Sequence, residues 1–315
     1  MKVLVFGAGL IGTTYAWQLH EAGADVSLLV RKQRKVRYEH SGVPITYTDT
    51  RKGQKDYGHT VFRPEVIDRL TQEDQFDFIL VTLRSNQWND AIPYLSKYSG
   101  NAHIVFLGNL WDEYDMIEKH FPKGRYLLAY PEMVAGGYTG NSINTYLFRH
   151  KHTYLGEPDG KKTERLNKLA DLLASADLRP KISSSMKQLL PVCFLHHAIL
   201  PGLISKAGGA GLFVKNNLLV KQYLCAFREG LRVLRKRGVK PAPQFPFNLS
   251  FLPLFVITWL VKRTFTPEVQ AALDAHMKHG TEEKKKQYYN VLQAGKKERL
   301  SIPYWTSFEK YMDFS

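Results

Sequence analysis

A doubly wound parallel α/β sheet followed by an all-helical second domain is the fold class this sequence predicts, on three observations. Two apolar runs within the first 31 residues flank a glycine-rich turn and a helical pattern. Further apolar runs then alternate with helical stretches, the pattern of a parallel sheet with crossover helices. Beyond Pro180 the character changes, and long helical periodicities dominate. A chain of 315 residues suits two domains rather than one small core. The boundary is expected between domains 1–181 and 182–315.

Val3-Leu4-Val5-Phe6 reads as the first strand, Gly7-Ala8-Gly9-Leu10-Ile11-Gly12 as a tight turn, and the next residues as a helix with Ala16, Leu19 and Ala22 inward. Val26 to Val30 forms a second strand that ends on Arg31. In this strand–turn–helix unit the first glycine makes the turn, the second admits a pyrophosphate and the third lets helix pack on strand. The helix N-terminus offers N–H groups and partial positive charge to phosphate. Gly7, Ala8, Gly9, Leu10, Ile11 and Gly12 are therefore candidate dinucleotide ligands. An NAD site would carry Asp or Glu about 20 residues beyond the glycines, for the ribose 2′-OH. Arg31 stands there, followed by Lys32 and Arg34, and guanidinium pairs with phosphate in bidentate geometry. The expected cofactor is NADP(H), with the other basic residues of 31–37 as a solvated loop.

After a polar stretch, Phe76 to Leu83 reads as a buried strand, Trp88 to Leu95 as a helix, His103 to Leu107 as a strand, Asp112 to His120 as a helix and Tyr126 to Ala129 as a strand. Ligands of such sheets sit beyond the C-terminal strand ends, where Arg84 and Asn109 also fall. One or two strands are expected over 141–156, then a helix with Leu166, Leu169, Leu172 and Leu173 on one side. The second domain is read as helices near 184–207, 214–237, 248–265, 267–278 and 282–298.

The formal charge is +15. It admits nucleic acid, an anionic membrane or anionic small molecules, but no nucleic-acid-binding signature accompanies it. Cys193 and Cys225 lie in apolar surroundings with no CxxC pair, which points to buried thiols in a reducing cytosol. The opening strand leaves no room for a signal peptide, and Leu252 to Val261 is too short to span a bilayer, which takes about 20 residues. The protein is thus expected to be cytoplasmic, bound to neither membrane nor nucleic acid. His196 and His197 point about 100° apart on a helix and cannot easily share a metal ion. The apolar segment Phe251 to Trp259 suggests a surface that packs on a second copy, making a homodimer.

These residues resemble the ketopantoate reductases (2-dehydropantoate 2-reductases), most strongly at Lys2–Arg31, Asp77–Gln87, Leu107–Asn109 and Tyr154–Pro158, and more weakly around Met186–Leu190 and Glu283–Pro303. The resemblance implies an NADPH-dependent Rossmann domain, a helical domain of the 6-phosphogluconate dehydrogenase C-terminal type, and reduction of a 2-oxo acid. By the same resemblance, Gly7, Gly9 and Gly12 are the phosphate turn and Arg31 the 2′-phosphate ligand. Arg84 with Gln87 stands for a Lys-x-x-Gln pair, and Asn109 lies near the nicotinamide. Lys187 is the general acid and Glu283 the substrate-binding glutamate. Three positions depart from the family. Pro191 and Leu195 replace two asparagines, and Ala271 replaces the serine that takes the substrate carboxylate. Gln188, His196 or His197 could substitute for the lost groups.

Hydride delivery to a ketone builds negative charge on oxygen, which a positioned lysine ammonium can protonate. The leading expectation is reduction of 2-dehydropantoate or a related 2-oxo acid to the 2-hydroxy acid, with Lys187 as acid, Glu283 on a substrate hydroxyl or orienting Lys187, and Asn109 positioning nicotinamide or substrate. The alternatives are a reductase of another 2-oxo or imino acid and a non-catalytic NADPH sensor with a decayed substrate site.

Overall fold

The structure is a computed structural model that describes residues 1–241 and 252–312. It divides into two compact units, Met1–Met186 and Lys187–Ser315.

In the first unit β1 (Lys2–Phe6), α1 (Leu10–Glu21), β2 (Asp25–Leu29) and α2 (Lys32–Ser41) follow the predicted order, except that the basic stretch after Arg31 is a helix rather than a loop. It was invisible as a helix because only Tyr38 in it is buried. Then come β3 (Val43–Asp49), β4 (Asp56–Phe62), β5 (Glu65–Ile67), β6 (Phe78–Val81), α3 (Trp88–Tyr98), β7 (His103–Leu107) and α4 (Tyr114–His120). The unit ends with β8 (Tyr126–Pro131), β9 (Val134–Thr139), β10 (Ser142–Leu147), β11 (Thr153–Gly156), α5 (Glu164–Ser175) and β12 (Pro180–Ile182).

The main sheet has eight strands in the order β12-β11-β8-β7-β6-β1-β2-β5. All neighbours are parallel except β8 and β11. Val3, Leu4, Val5, Ile79, Ile104 and Val105 fill its centre with essentially no exposure, as strands covered on both faces require. The chain leaves β1 toward β2 and leaves β6 toward β7, so the order reverses between β1 and β6. Ligand crevices open outside the strand ends at such a switch point.

A second sheet, ordered β4-β3-β10-β9, covers the other side of α1. Trp17 meets Tyr47 at 5.3 Å between ring centroids, and Thr14 Oγ1 donates to Thr145 Oγ1 at 2.9 Å. Every residue from Gly12 to Leu19 is consequently buried. Ala22, expected inward, lies past the helix end and is exposed. The first compact unit runs to Met186. Beyond β12, Ser183 still donates its N–H to Leu155 O at 2.9 Å, and a Cβ at Gly156 would lie 2.8 Å from Met186 Cγ.

The second unit is helical: α6 (Met186–Ala207), α7 (Ala210–Lys215), α8 (Asn217–Lys236), α9 (Leu254–Thr264), α10 (Pro267–Met277), α11 (Thr281–Lys297) and α12 (Pro303–Phe308). Residues 248–251 of the predicted 248–265 helix lie outside the described residues. By length and composition α6 could cross a membrane, but 72% of its most apolar window is buried, as in a core helix. Glu229 on α8 accepts from Tyr304 and Trp305 N–H, tying down the start of α12. Of the apolar segment Phe251 to Trp259, Phe251 lies outside the described residues, Ile257 is buried, and Phe255 and Trp259 are 77% and 58% exposed.

Burial and the nearby Lys284 ammonium lower the His197 imidazole from 6.5 to about 4. The unfolded ring binds a proton that the folded ring refuses, so stability is whole above pH 6.5 and falls as pH drops toward 4, by at most about 3 kcal/mol. The melting temperature of His197→Gln should therefore fall less between pH 7 and pH 4.5 than that of the native chain. Parallel curves would remove His197 as the cause.

Candidate functional site

The switch point carries the glycine turn. Gly7 has φ +117°, a conformation L side chains rarely adopt. A Cβ on Gly12 would lie 2.0 Å from Gly7 O and 2.4 Å from Thr82 Oγ1, so α1 can begin against the ends of β1 and β6 only with glycine there. Thr82, which the sequence does not single out, donates its hydroxyl to Gly7 O at 2.7 Å and joins the end of β6 to the turn. Gly9 is less confined: its nearest neighbour to a Cβ would be the Tyr138 hydroxyl, at 3.4 Å. That hydroxyl accepts from Leu10 N–H at 3.1 Å, while Thr13 N–H closes the first turn on Gly9 O at 2.9 Å. Ala8 is buried, and Leu10 and Ile11 are half-buried.

Arg31 is exposed at the tip of β2 and heads α2, its carbonyl accepting from Arg34 N–H at 2.8 Å and Lys35 N–H at 3.1 Å. The helix swings Arg34 back over the turn, where Nη1 donates to Ala8 O at 3.2 Å. Arg34, assigned to a solvated loop by sequence, thus brings a guanidinium to the glycine turn. A loop reading cannot find it, because one turn of helix sets its position.

Past β6, Gln87 Oε1 accepts from Arg84 N–H at 3.2 Å, closing a 3₁₀ turn over Ser85–Gln87. The Trp88 indole N–H donates to Leu83 O at 3.0 Å and fixes the same loop. Gln87 therefore shapes the turn that carries Arg84. Asn109 follows β7, and its Oδ1 is buried without a hydrogen-bond partner among the described residues. An unsatisfied buried acceptor costs about 1–3 kcal/mol, and a donor such as a carboxamide NH₂ would satisfy it.

In the second unit Lys187 opens α6 and is half-buried. Glu283 lies in the first turn of α11, also half-buried. Its neighbour Lys284 is 3% exposed and donates to His276 O at 2.7 Å and to His279 O. The run 282–286 is thus no uniform solvated face, because one ammonium closes the end of α10. Pro191 and Leu195 are buried, and a Cβ on Gly230 would lie 2.8 Å from the Leu195 side chain. Ala271 is exposed. Of the possible substitutes, Gln188 accepts from Lys240 N–H at 2.5 Å, while His196 bonds the Tyr223 hydroxyl and stacks on Phe227 at 4.6 Å. His197 packs edge-on to His276 at 6.5 Å. Among the described residues no three His, Cys, Asp or Glu side chains are grouped to hold a metal ion.

The chain is 25% identical over 248 residues to the uncharacterized oxidoreductase YkpB of Bacillus subtilis (strain 168), a match covering 77% of this chain and 78% of that protein. Its fold resembles that of D-mandelate dehydrogenase in complex with NADH and anilino(oxo)acetate, with TM-score 0.74, 17% identity and coverage of 99% of this chain and 97% of that one. It also resembles the 2-dehydropantoate 2-reductase of Geobacter metallireducens GS-15, with TM-score 0.73, 14% identity and 99% of each chain covered. The model of the family described as ketopantoate reductase PanE/ApbA matches residues 3–160, from the first strand through the glycine turn to the loop after β11. With half its length matched in this way, the chain belongs to the ketopantoate reductase PanE/ApbA family.

Proposed function

We propose that this oxidoreductase reduces a 2-oxo acid to the 2-hydroxy acid with NADPH. The observation that carries the reading is the switch-point turn, where Gly12 admits no side chain, Arg31 stands at the tip of β2 and Arg34 of α2 reaches over the turn. Gly7 to Gly12 and the start of α1 would hold the pyrophosphate. Arg31 would hold a 2′-phosphate, with Arg34 beside it, and Arg84 would add charge. Asn109 Oδ1, the unsatisfied acceptor, fits a nicotinamide carboxamide. When bound, the reduced cofactor supplies a hydride.

The residues of the chain do the rest. Lys187 gives a proton to the carbonyl oxygen as it becomes an alkoxide, and Glu283 takes a substrate hydroxyl or orients Lys187. The chain carries Arg31 where an acidic residue would receive an unmodified ribose. Two charge-assisted contacts at about 1.5–3 kcal/mol each favour the 2′-phosphate by about a hundredfold or more. Arg31→Asp should erase most of that preference, read as the NADPH:NADH ratio of dissociation constants. An unchanged ratio would remove Arg31 from the assignment.

A second reading within the same chemistry is a reductase of a different 2-oxo or imino acid. It is favoured by Leu195 packing into the core against Gly230 and by the exposure of Ala271, since lost hydrogen-bonding groups change discrimination strongly. Screening 2-oxo and imino acids for NADPH consumption separates the readings. Turnover of 2-dehydropantoate supports the first, turnover of another acid the second, and binding without turnover leaves a sensor. Cys193, which is buried, and Cys225 are joined in no disulfide, which suits a reducing compartment. The exposed Phe255 and Trp259 suit a homodimer, which sedimentation as a monomer would contradict.

A further inference from the structure

We infer that Asp68 reads the adenine of the cofactor, its carboxylate accepting from the exocyclic amino group at the tip of β5. The inference deepens the NADPH reading and rests on it. β5 pairs with β2 in parallel, Ser27 against Glu65 and Leu29 against Ile67, and Val30 N–H donates to Ile67 O at 2.9 Å. The two strands therefore end level, and Asp68 follows β5 much as Arg31 follows β2. The order β6-β1-β2-β5 sets the direction in which a dinucleotide lies across these ends. A pyrophosphate on the turn after β1 and a ribose at the tip of β2 leave the base for the next strand out, about 4.8 Å further along the sheet. That strand is β5, the last on this side.

The surroundings of Asp68 suit an amino group. Lys35, one turn along α2 from Arg31, places its ammonium 3.5 Å from Asp68 Oδ1, and both side chains are half-buried. A carboxylate accepts at about four lone-pair sites, and among the described residues Asp68 bonds no group besides Lys35. The remaining sites are therefore open to a donor. An aromatic amine brings hydrogens and no charge, so it fits a carboxylate that an ammonium already balances. The same ammonium offsets the repulsion between Asp68 and a 2′-phosphate on Arg31. A carbonyl oxygen in place of the amino group would meet the lone pairs of the carboxylate instead.

The probe is the reduced hypoxanthine analogue of NADPH, which carries a carbonyl oxygen where adenine has its amino group. The native protein should bind NADPH about tenfold more tightly than the analogue, the effect of one charge-assisted bond. The carboxamide of Asp68→Asn accepts from an amine or donates to a carbonyl, so the two dissociation constants should come within about threefold. Asp68→Ala should weaken NADPH about tenfold and leave the analogue unchanged. A carboxylate that only pairs with Lys35 would move the melting temperature of the cofactor-free protein and weaken both ligands equally or neither. Equal affinity of the native protein for the two ligands, tighter binding of the analogue, or a ratio unchanged in both variants would overturn the assignment while the cofactor reading stands. A native protein without NADPH affinity would overturn both.

Discussion

Lys187→Ala should lower kcat by about 10²–10⁴-fold on the proposed 2-oxo acid substrate, the range general acid catalysis contributes. Hydride addition places negative charge on an oxygen that was neutral, and an ammonium stabilises that charge only as it develops. The loss should therefore appear in kcat and kcat/KM together. The NADPH dissociation constant should stay unchanged, because Lys187 lies outside the glycine turn, in the second compact unit. Single-turnover measurements with NADPH saturating separate the chemical step from product release. A variant that turns over within threefold of the native rate shows that another group supplies the proton.

Gly12→Ala should abolish measurable NADPH binding and also lower stability, because its Cβ would meet Gly7 O at 2.0 Å and Thr82 Oγ1 at 2.4 Å. The first of these is backbone and cannot rotate away. Either the turn opens or α1 moves off β1, and overpacking of this kind costs about 1–3 kcal/mol or more. For a unit of this size that is a fall of several degrees in melting temperature, at about 2–4 °C per kcal/mol. Gly9→Ala is the useful contrast. Its Cβ would meet only a hydroxyl, at 3.4 Å, so the variant should melt within about 2 °C of the native protein. It should nevertheless lose NADPH affinity, because the new methyl stands where the phosphate approaches. A Gly12→Ala protein that binds NADPH normally would contradict the geometry of the turn.

What was legible in the sequence followed burial. Val3 to Val5, Phe78 to Val81 and Ile104 to Leu107 are covered on both faces, so they read as unbroken apolar runs. Of the second sheet only β10 read, among the strands expected over 141–156; β3, β4 and β9 did not. Its strands, such as Val43–Asp49 and Val134–Thr139, are rich in Thr, Tyr and Gly and cover a helix with only one face. A signal for it did exist in α1, which carries no charged residue around its whole circumference from Gly12 to Leu19. Such a helix needs cover on both sides.

The glycines were legible because residue type alone carries their geometry. Thr82, Arg34 and Tyr138 were not, because each reaches the turn from an element whose placement only the folded chain defines. The run from Glu282 to Lys286 hid a buried lysine for a similar reason. Lys284 is buried through contacts with the end of α10, and sequence spacing says nothing of that.

The most direct test is calorimetric titration of the native protein with NADPH and with NADH. The account predicts one NADPH site, bound about a hundredfold more tightly than NADH through the 2′-phosphate. Absence of heat with NADPH, or NADH bound as tightly, would contradict it.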